Sequence, residues 1–138
     1  MSHSKPIRVL IVDDHPAVRE GLAEMIATQP DMCVAGAACD GVEAIALFGE
    51  LQPDVTLLDM RLPKLSGLEV LRQLRRVAPG SHIIAMSSFA DKLEPALRSG
   101  ASAFLLKERF GDELLHLIRT IHLDPLAADS EIATPNQS

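Results

Sequence analysis

The sequence is poor in aromatic residues, which make up 3% of the chain, and it lacks tryptophan and tyrosine. Its core therefore has to be built from aliphatic side chains. It also lacks an apolar stretch of membrane-spanning length, and residues 1–6 are too short and too polar for a signal peptide. There is no basic stripe, and the net charge is −6, which argues against nucleic-acid binding by this chain itself. These absences predict a cytoplasmic protein with no membrane partner.

Cysteine is scarce as well, with only Cys33 and Cys39 present. Both fall on one predicted strand, where the strand rise places them roughly 20 Å apart, too far for a disulfide. They are expected to be free, buried thiols in a reducing compartment; a redox pair is the weaker alternative.

Apolar strand-like runs alternate with helical patterns along the chain. Strands are predicted at 7–12, 32–39, 55–58, 82–86 and 103–106. Helices are predicted at 16–29, 41–51, 68–77 and 112–122. A further helix, the fourth in chain order, is predicted to be weak and short and to end before Gly100. It is expected to begin at Pro95, because the residue that precedes a proline disfavours helix. This alternation predicts an α/β fold: a single doubly wound domain over residues 1–122, with a five-stranded parallel sheet and five helices on its two faces.

The first strand ends in two adjacent carboxylates, Asp13 and Asp14. Like charges this close repel each other unless a cation joins them, and Mg²⁺ is a hard cation that needs only one or two carboxylates besides water. Taken alone, the pair is more typical of a turn that also caps the next helix than of a metal site.

Three further strands end in polar side chains, namely Asp59, Ser87 and Lys107. The carboxyl ends of parallel strands meet at one edge of a sheet, so these groups should converge with the aspartate pair. Three carboxylates and one ammonium sum to a charge of −2, which one dication balances. A carboxylate beside a metal and a lysine can attack phosphorus and form an acyl phosphate. Singly, each residue could be a turn cap, a loop serine or an exposed lysine; together they predict a phosphoryl-transfer site.

The chain resembles the receiver domain of two-component response regulators, of the NarL/FixJ type, over about residues 7–122. Four segments carry the resemblance: Val12-Asp13-Asp14-His15, Leu57-Leu58-Asp59-Met60-Arg61-Leu62-Pro63, Met86-Ser87-Ser88 and Gly100-Ala101-Ser102-Ala103-Phe104-Leu105-Leu106-Lys107. The resemblance implies a flavodoxin-like sheet with strand order 2-1-3-4-5.

The resemblance also implies a role for each residue of the metal site. Asp59 would be the phosphoacceptor, which takes a phosphoryl group from a sensor histidine kinase. Asp14, Asp59 and the backbone carbonyl of Arg61 would bind Mg²⁺ directly, and Asp13 would bind it through water.

A second group of residues would bind the phosphoryl group and respond to it. Lys107 would hold the phosphoryl oxygens, with Ser87 and Ser88 as the neighbouring hydroxyls. Ser87 would act as the switch hydroxyl, and Phe104 would be the aromatic side chain that moves with it.

Residues 123–138 are predicted to form a poorly ordered linker or tail. Relatives of this type usually continue into a helix-turn-helix output domain, so DNA would be bound only through a C-terminal domain that this chain does not contain. The expected function is that of a regulator, most simply of transcription. It would not be an enzyme beyond catalysing its own phosphorylation and dephosphorylation, and a second copy of the chain is an optional partner.

Other functions account for parts of the same pattern. The chain could be a stand-alone receiver or a protein–protein interaction module. A phosphohydrolase with Asp59 as its turnover nucleophile would usually need a second acid where Arg61 stands. A flavodoxin-like cofactor binder is disfavoured because Asp13 and Asp14 would repel a phosphate.

Overall fold

The computed structural model describes residues 5–123, which alternate between strand and helix throughout. The strands are β1 (Ile7–Val12), β2 (Met32–Ala38), β3 (Val55–Asp59), β4 (His82–Ser87) and β5 (Ala103–Leu106). The α-helices are α1 (Pro16–Ala27), α2 (Gly41–Leu51), α3 (Gly67–Val77), α4 (Leu93–Arg98) and α5 (Asp112–Leu123). Two short 3-10 turns, Ala90–Lys92 and Lys107–Arg109, lead into α4 and follow β5.

The five strands form one parallel sheet in the order β2-β1-β3-β4-β5. This confirms the predicted doubly wound α/β fold and its strand order. In the register of the central strands, Val12 lies beside Leu58 and Asp59 lies beside Met86. The carboxyl ends of β1, β3 and β4 are therefore level with one another, and the side chains that follow them share one edge.

Two aliphatic clusters cover the two faces of the sheet. Helices α1 and α5 close one face through Leu22, Ile26 and Ile118. Helices α2, α3 and α4 close the other face, where Phe48 and Leu74 are buried. Full burial of one such side chain contributes about 1.5–3 kcal/mol, so these clusters stabilise the sheet whose edge bears the polar residues.

Two helix starts are closed by side chains. The Asp40 carboxylate accepts the Glu43 N–H at 2.8 Å, and Glu43 Oε1 accepts the Cys39 N–H at 2.8 Å, a reciprocal pair of bonds similar to a capping box. Ser66 Oγ accepts the Glu69 N–H at 3.2 Å. Helix α3 accordingly begins at 67, one residue before the predicted start.

The predicted burial of the two cysteines is wrong. Cys33 is half-buried and Cys39 is exposed, although both are free thiols. Strand β2 lies at the edge of the sheet, where it has a neighbouring strand on only one side. It ends at Ala38, so Cys39 lies in the turn before α2 and not on the strand.

The short fourth helix is confirmed, but its predicted start at Pro95 is wrong. Helix α4 begins at Leu93, directly after the 3-10 turn. Pro95 lies in the first helical turn, where a backbone N–H would have no acceptor within the helix, so the ring costs no hydrogen bond there. Helix α1 ends at Ala27, two residues before its predicted end.

None of the helices within residues 5–123 combines the length and the apolar character needed to cross a bilayer. Leu123 is the last residue of α5. The remainder of the predicted tail, residues 124–138, lies outside the described residues, and its assignment as a linker stays a prediction.

Candidate functional site

The carboxyl ends of β1, β3 and β5 bring together two carboxylates and one ammonium. Lys107 Nζ lies 2.9 Å from Asp13 Oδ2 and 3.2 Å from Asp59 Oδ2. The side chains of Asp13, Asp59 and Lys107 are 0%, 2% and 17% exposed. Because Lys107 is 94 residues from Asp13 in the chain, only the folded sheet creates this triad, and the predicted convergence of the three residues is observed.

Asp59 is incompletely satisfied. Its Oδ1 accepts the Arg61 N–H at 3.1 Å, whereas its buried Oδ2 has no hydrogen bond and is in contact only as the ion-pair partner of Lys107. Burial raises the pKa of the Asp59 carboxyl above its ordinary range; the Arg61 N–H opposes this shift, and the charge of Asp13 adds to it. Asp59 therefore holds a carboxylate oxygen that is available for a new bond or a cation.

Lys107 stays charged beside these carboxylates. Burial by itself would lower the pKa of Lys107, but hydrogen bonding to Asp13 and the charge of Asp59 outweigh it and hold the pKa above its ordinary range. A fixed ammonium at the end of β5 is suited to binding an anionic group that enters from solvent.

Asp14 lies at the rim of the same site, with its side chain 34% exposed. Its Oδ1 is nevertheless buried and has no hydrogen bond. Donor atoms of Asp13, Asp14, His15 and Asp59 all lie within 4.8 Å of one another. Buried carboxylate oxygens without partners are costly, and an oxygen-rich cluster of this kind fits the ligand preference of Mg²⁺.

An open cleft of about 650 Å³ leads to this cluster from solvent. Asp14, Asp59, Arg61, Ser88 and Lys107 all line it. The backbone of Arg61 is held to the site by its N–H bond to Asp59, and the proposed ligand role of its carbonyl stays a prediction.

The two predicted switch residues lie behind the cleft and do not line it. Ser87 is buried at the end of β4, where its Oγ accepts the Phe89 N–H at 3.0 Å. Phe104 is fully buried in the cluster beneath α3 and α4. Ser88, in contrast, is exposed at the mouth. The structure thus separates an accessible hydroxyl from a buried one, and the switching roles stay predictions.

Sequence reasoning missed one contact at the mouth of the cleft. The Arg61 guanidinium lies 6.0 Å from the centre of the Phe89 ring, a cation–π distance. Phe89 is 52% exposed. No local signal announces this pair, because it joins the loop after β3 to the loop after β4.

A parallel sheet in this strand order, with two buried carboxylates and a lysine at its carboxyl edge, defines the receiver class of signalling domain. The chain matches the family model described as the response regulator receiver domain over residues 9–119. It belongs to that family.

The curated relatives are transcriptional response regulators. The chain is 39% identical to the transcriptional regulatory protein LiaR of Bacillus subtilis (strain 168), in an alignment that covers 92% of this chain and 61% of LiaR. It is 34% identical to the nitrate/nitrite response regulator protein NarL of Escherichia coli (strain K12), over 98% of this chain and 63% of NarL. The chain therefore spans less than two thirds of the length of these relatives.

Solved receiver structures share the fold. A two-component response regulator of the LuxR family from Aurantimonas sp. SI85-9A1 superposes with a TM-score of 0.80 at 29% identity, covering 92% of this chain and 97% of that one. The response regulator domain of Thermotoga maritima CheB gives a TM-score of 0.72 at 34% identity, covering 91% and 98%. These likenesses confirm the predicted family and flavodoxin-like architecture.

Proposed function

We propose that this protein is a phosphorylation-activated receiver in which Asp59 accepts a phosphoryl group from the phosphohistidine of a sensor kinase. The observation that supports this most directly is the Asp59 Oδ2 atom, which is buried, has no hydrogen bond, and lies 3.2 Å from Lys107 Nζ. In the transfer, Oδ2 forms a bond to phosphorus. The N–P bond of the donor breaks, and its electron pair leaves with the imidazole nitrogen.

The chain's own cation binds the group that is transferred. Lys107 already faces the acceptor oxygen, so its ammonium can pair with phosphoryl oxygens as they arrive without a large movement. The Ser88 hydroxyl at the mouth is a further donor for the same oxygens.

Asp14, Asp59 and the Arg61 carbonyl would hold Mg²⁺, with Asp13 bound through water. Asp14 Oδ1 and Asp59 Oδ2 are buried oxygens without a hydrogen bond, and this supports the assignment. When bound, the ion supplies positive charge that offsets the negative charge of the phosphoryl oxygens.

Phosphorylation would act as a switch through β4. A phosphoryl group adds a charge of about −1.5 to −2 and strong acceptor oxygens. The Ser87 Oγ now accepts the Phe89 N–H, and its own proton is available to donate to the new phosphate. A shift of Ser87 would then move the loop that leads from β4 to α4, and Phe104 would move with it. This movement would control an output domain, transcriptional as in the relatives.

The protein would work in the cytoplasm with a sensor histidine kinase as its partner, and a second copy of the chain is a further partner to test. It would act as a regulator that catalyses only its own phosphorylation and dephosphorylation.

Incubation with Mg²⁺ and acetyl phosphate, followed by intact-mass measurement, tests the proposal. The wild type should gain one phosphoryl group, and Asp59→Asn should gain none. Asp54→Asn is the matched control, because Asp54 lies at the opposite edge of the sheet, where its carboxylate accepts the Arg8 N–H. Rapid multiple turnover of acetyl phosphate would instead indicate a phosphohydrolase. The proposal would be overturned if the wild type gained no phosphoryl group and also did not respond to beryllofluoride, which mimics a phosphoryl group.

A further inference from the structure

We propose that His15 supplies a nitrogen ligand to the acidic cluster, so that the site binds transition-metal dications of the Co²⁺ and Zn²⁺ class more tightly than Mg²⁺. The ligands would be His15 Nδ1 and the carboxylates of Asp13, Asp14 and Asp59. The inference rests on the proposed function only in that both assign a cation to this cluster.

The spacing of the donor atoms supports a shared ion. His15 Nδ1 lies 3.2 Å from Asp13 Oδ1 and 3.1 Å from Asp14 Oδ1. Neighbouring ligands around an octahedral ion with bonds of about 2.1 Å are about 3.0 Å apart, and around tetrahedral Zn²⁺ with bonds of about 2.0 Å they are about 3.3 Å apart. The imidazole already lies at the separation that one ion would impose.

A second observation points into the cluster independently of His15. Asp59 is 1% exposed, and its Oδ2 has no hydrogen bond besides the ion pair with Lys107 Nζ at 3.2 Å. Asp59 belongs to the same group of residues whose donor atoms lie within 4.8 Å of one another. A cation placed there would satisfy a buried oxygen that the protein itself leaves without a hydrogen bond.

The backbone holds His15 in place at the rim. The His15 N–H donates to Asp13 Oδ1 at 2.9 Å, and Pro16 follows directly, which restricts the His15 backbone to the extended region it adopts. The side chain is 64% exposed, so an ion can reach the ring from the cleft. The loop therefore fixes the backbone from which the imidazole reaches the cluster.

The donor set favours a borderline metal. Mg²⁺ prefers oxygen ligands and keeps several waters, whereas a neutral imidazole is a good ligand for Zn²⁺, Co²⁺, Ni²⁺ and Cu²⁺. One nitrogen among three carboxylates therefore raises the affinity for these ions without a matching gain for Mg²⁺. The same distances would also fit an Nδ1–H that donates to the carboxylates, and the experiment separates the two arrangements.

Calorimetric titration of the metal-free 138-residue chain with Co²⁺ or Mg²⁺ tests the inference. The wild type should bind Co²⁺ more tightly than Mg²⁺. His15→Ala should weaken Co²⁺ binding by roughly tenfold or more, and should change Mg²⁺ binding far less. His116→Ala is the matched control, because His116 is an exposed histidine on α5 that does not belong to the group of clustered donors. Circular dichroism checks that each variant is folded.

A spectroscopic measurement reports the ligand itself. With Cu²⁺ as the probe, pulsed electron paramagnetic resonance should show imidazole nitrogen coupling in the wild type and in His116→Ala, but not in His15→Ala. Unchanged Co²⁺ affinity in His15→Ala, or a nitrogen signal that persists in it, would overturn the inference. Phosphorylation of the wild type in Mg²⁺ would still stand in that case, so failure here is distinguishable from failure of the proposed function.

Discussion

Neutralising Asp59 should stabilise the metal-free protein, although Asp59 is the proposed phosphoacceptor. Its side chain is 2% exposed, its Oδ2 has no hydrogen bond, and it shares one ammonium with Asp13. Asp59→Asn keeps the shape and the Oδ1 atom that accepts the Arg61 N–H, but removes one of two like charges. A buried polar group without a partner costs about 1–3 kcal/mol. Allowing for the lost attraction to Lys107, we expect a gain of about 1–2 kcal/mol in the free energy of unfolding.

The sign of this effect follows from the pKa. Because the pKa of Asp59 is raised on folding, the folded state holds the carboxyl proton more tightly than the unfolded chain does. The stability that this group contributes is present below its ordinary pKa of 3.8 and is lost as the pH rises through the raised value. The advantage of Asp59→Asn should therefore be larger at pH 7 than near pH 4 and should shrink as the pH falls.

Urea unfolding in EDTA at pH 7 measures the effect. With a slope of about 2 kcal/mol per molar urea, the midpoint of Asp59→Asn should rise by roughly 0.5–1 M. Asp31→Asn is a control of opposite sign, because the hydrogen bond from Arg119, at 2.7 Å to Asp31 Oδ2, lowers the pKa of Asp31. That substitution should lower the midpoint at pH 7. The reasoning is refuted if Asp59→Asn unfolds at lower urea than the wild type with equal slopes.

Mg²⁺ should reverse the order of the two proteins. A ligand at 100 times its dissociation constant stabilises a folded protein by about 2.7 kcal/mol. The wild type should gain this amount, and Asp59→Asn should gain much less because it has lost a ligand. An equal gain in both proteins would show that Asp59 does not contact the ion.

Three other variants test the packing around the site by urea unfolding and acetyl phosphate labelling. Lys107→Met leaves two buried carboxylates without their ammonium, so it should lower the free energy of unfolding by about 3 kcal/mol. Mg²⁺ should restore part of this stability. Unchanged stability in EDTA would contradict the ion pairs of Lys107 with Asp13 and Asp59. Gly67→Ala places a Cβ 2.7 Å from the Asp59 carbonyl oxygen. It should therefore lower the free energy of unfolding by about 1–3 kcal/mol and slow labelling. Gly80→Ala is the control: its added Cβ meets nothing within 4 Å, so stability and labelling should both be unchanged. Arg75→Ala removes guanidinium hydrogen bonds of 2.6 and 2.7 Å to backbone carbonyls at the α4–β5 turn and before β4. It should lower the free energy of unfolding by about 1.5–3 kcal/mol and leave labelling intact. A decrease of less than about 0.5 kcal/mol would show that these bonds do not stabilise the fold.

Much of the fold was predictable because its determinants are local. Apolar runs of strand length, such as 103–106, alternate with amphipathic helical patterns, such as that of α5, and this order specifies a parallel sheet. Asp40 caps α2 because its position before an apolar run with Glu43 three residues on is itself a capping signal. Features that have fewer packed neighbours were harder to predict from the sequence. Helix α4 starts two residues before its predicted start because a 3-10 turn leads into it. Cys39 is exposed because β2, at the edge of the sheet, ends one residue before its predicted end.

By itself, the sequence determined the fold class and which polar residues end the strands, since both follow from side-chain periodicity and the geometry of parallel strands. It placed Asp13, Asp59 and Lys107 at one edge. Only the tertiary structure decided that Lys107 pairs with both carboxylates, that Asp59 Oδ2 has no hydrogen bond, and that His15 lies over the cluster. The physical reason is that burial and distances of about 3 Å between groups far apart in the chain depend on how every packed element fixes its neighbours, and no local pattern encodes that.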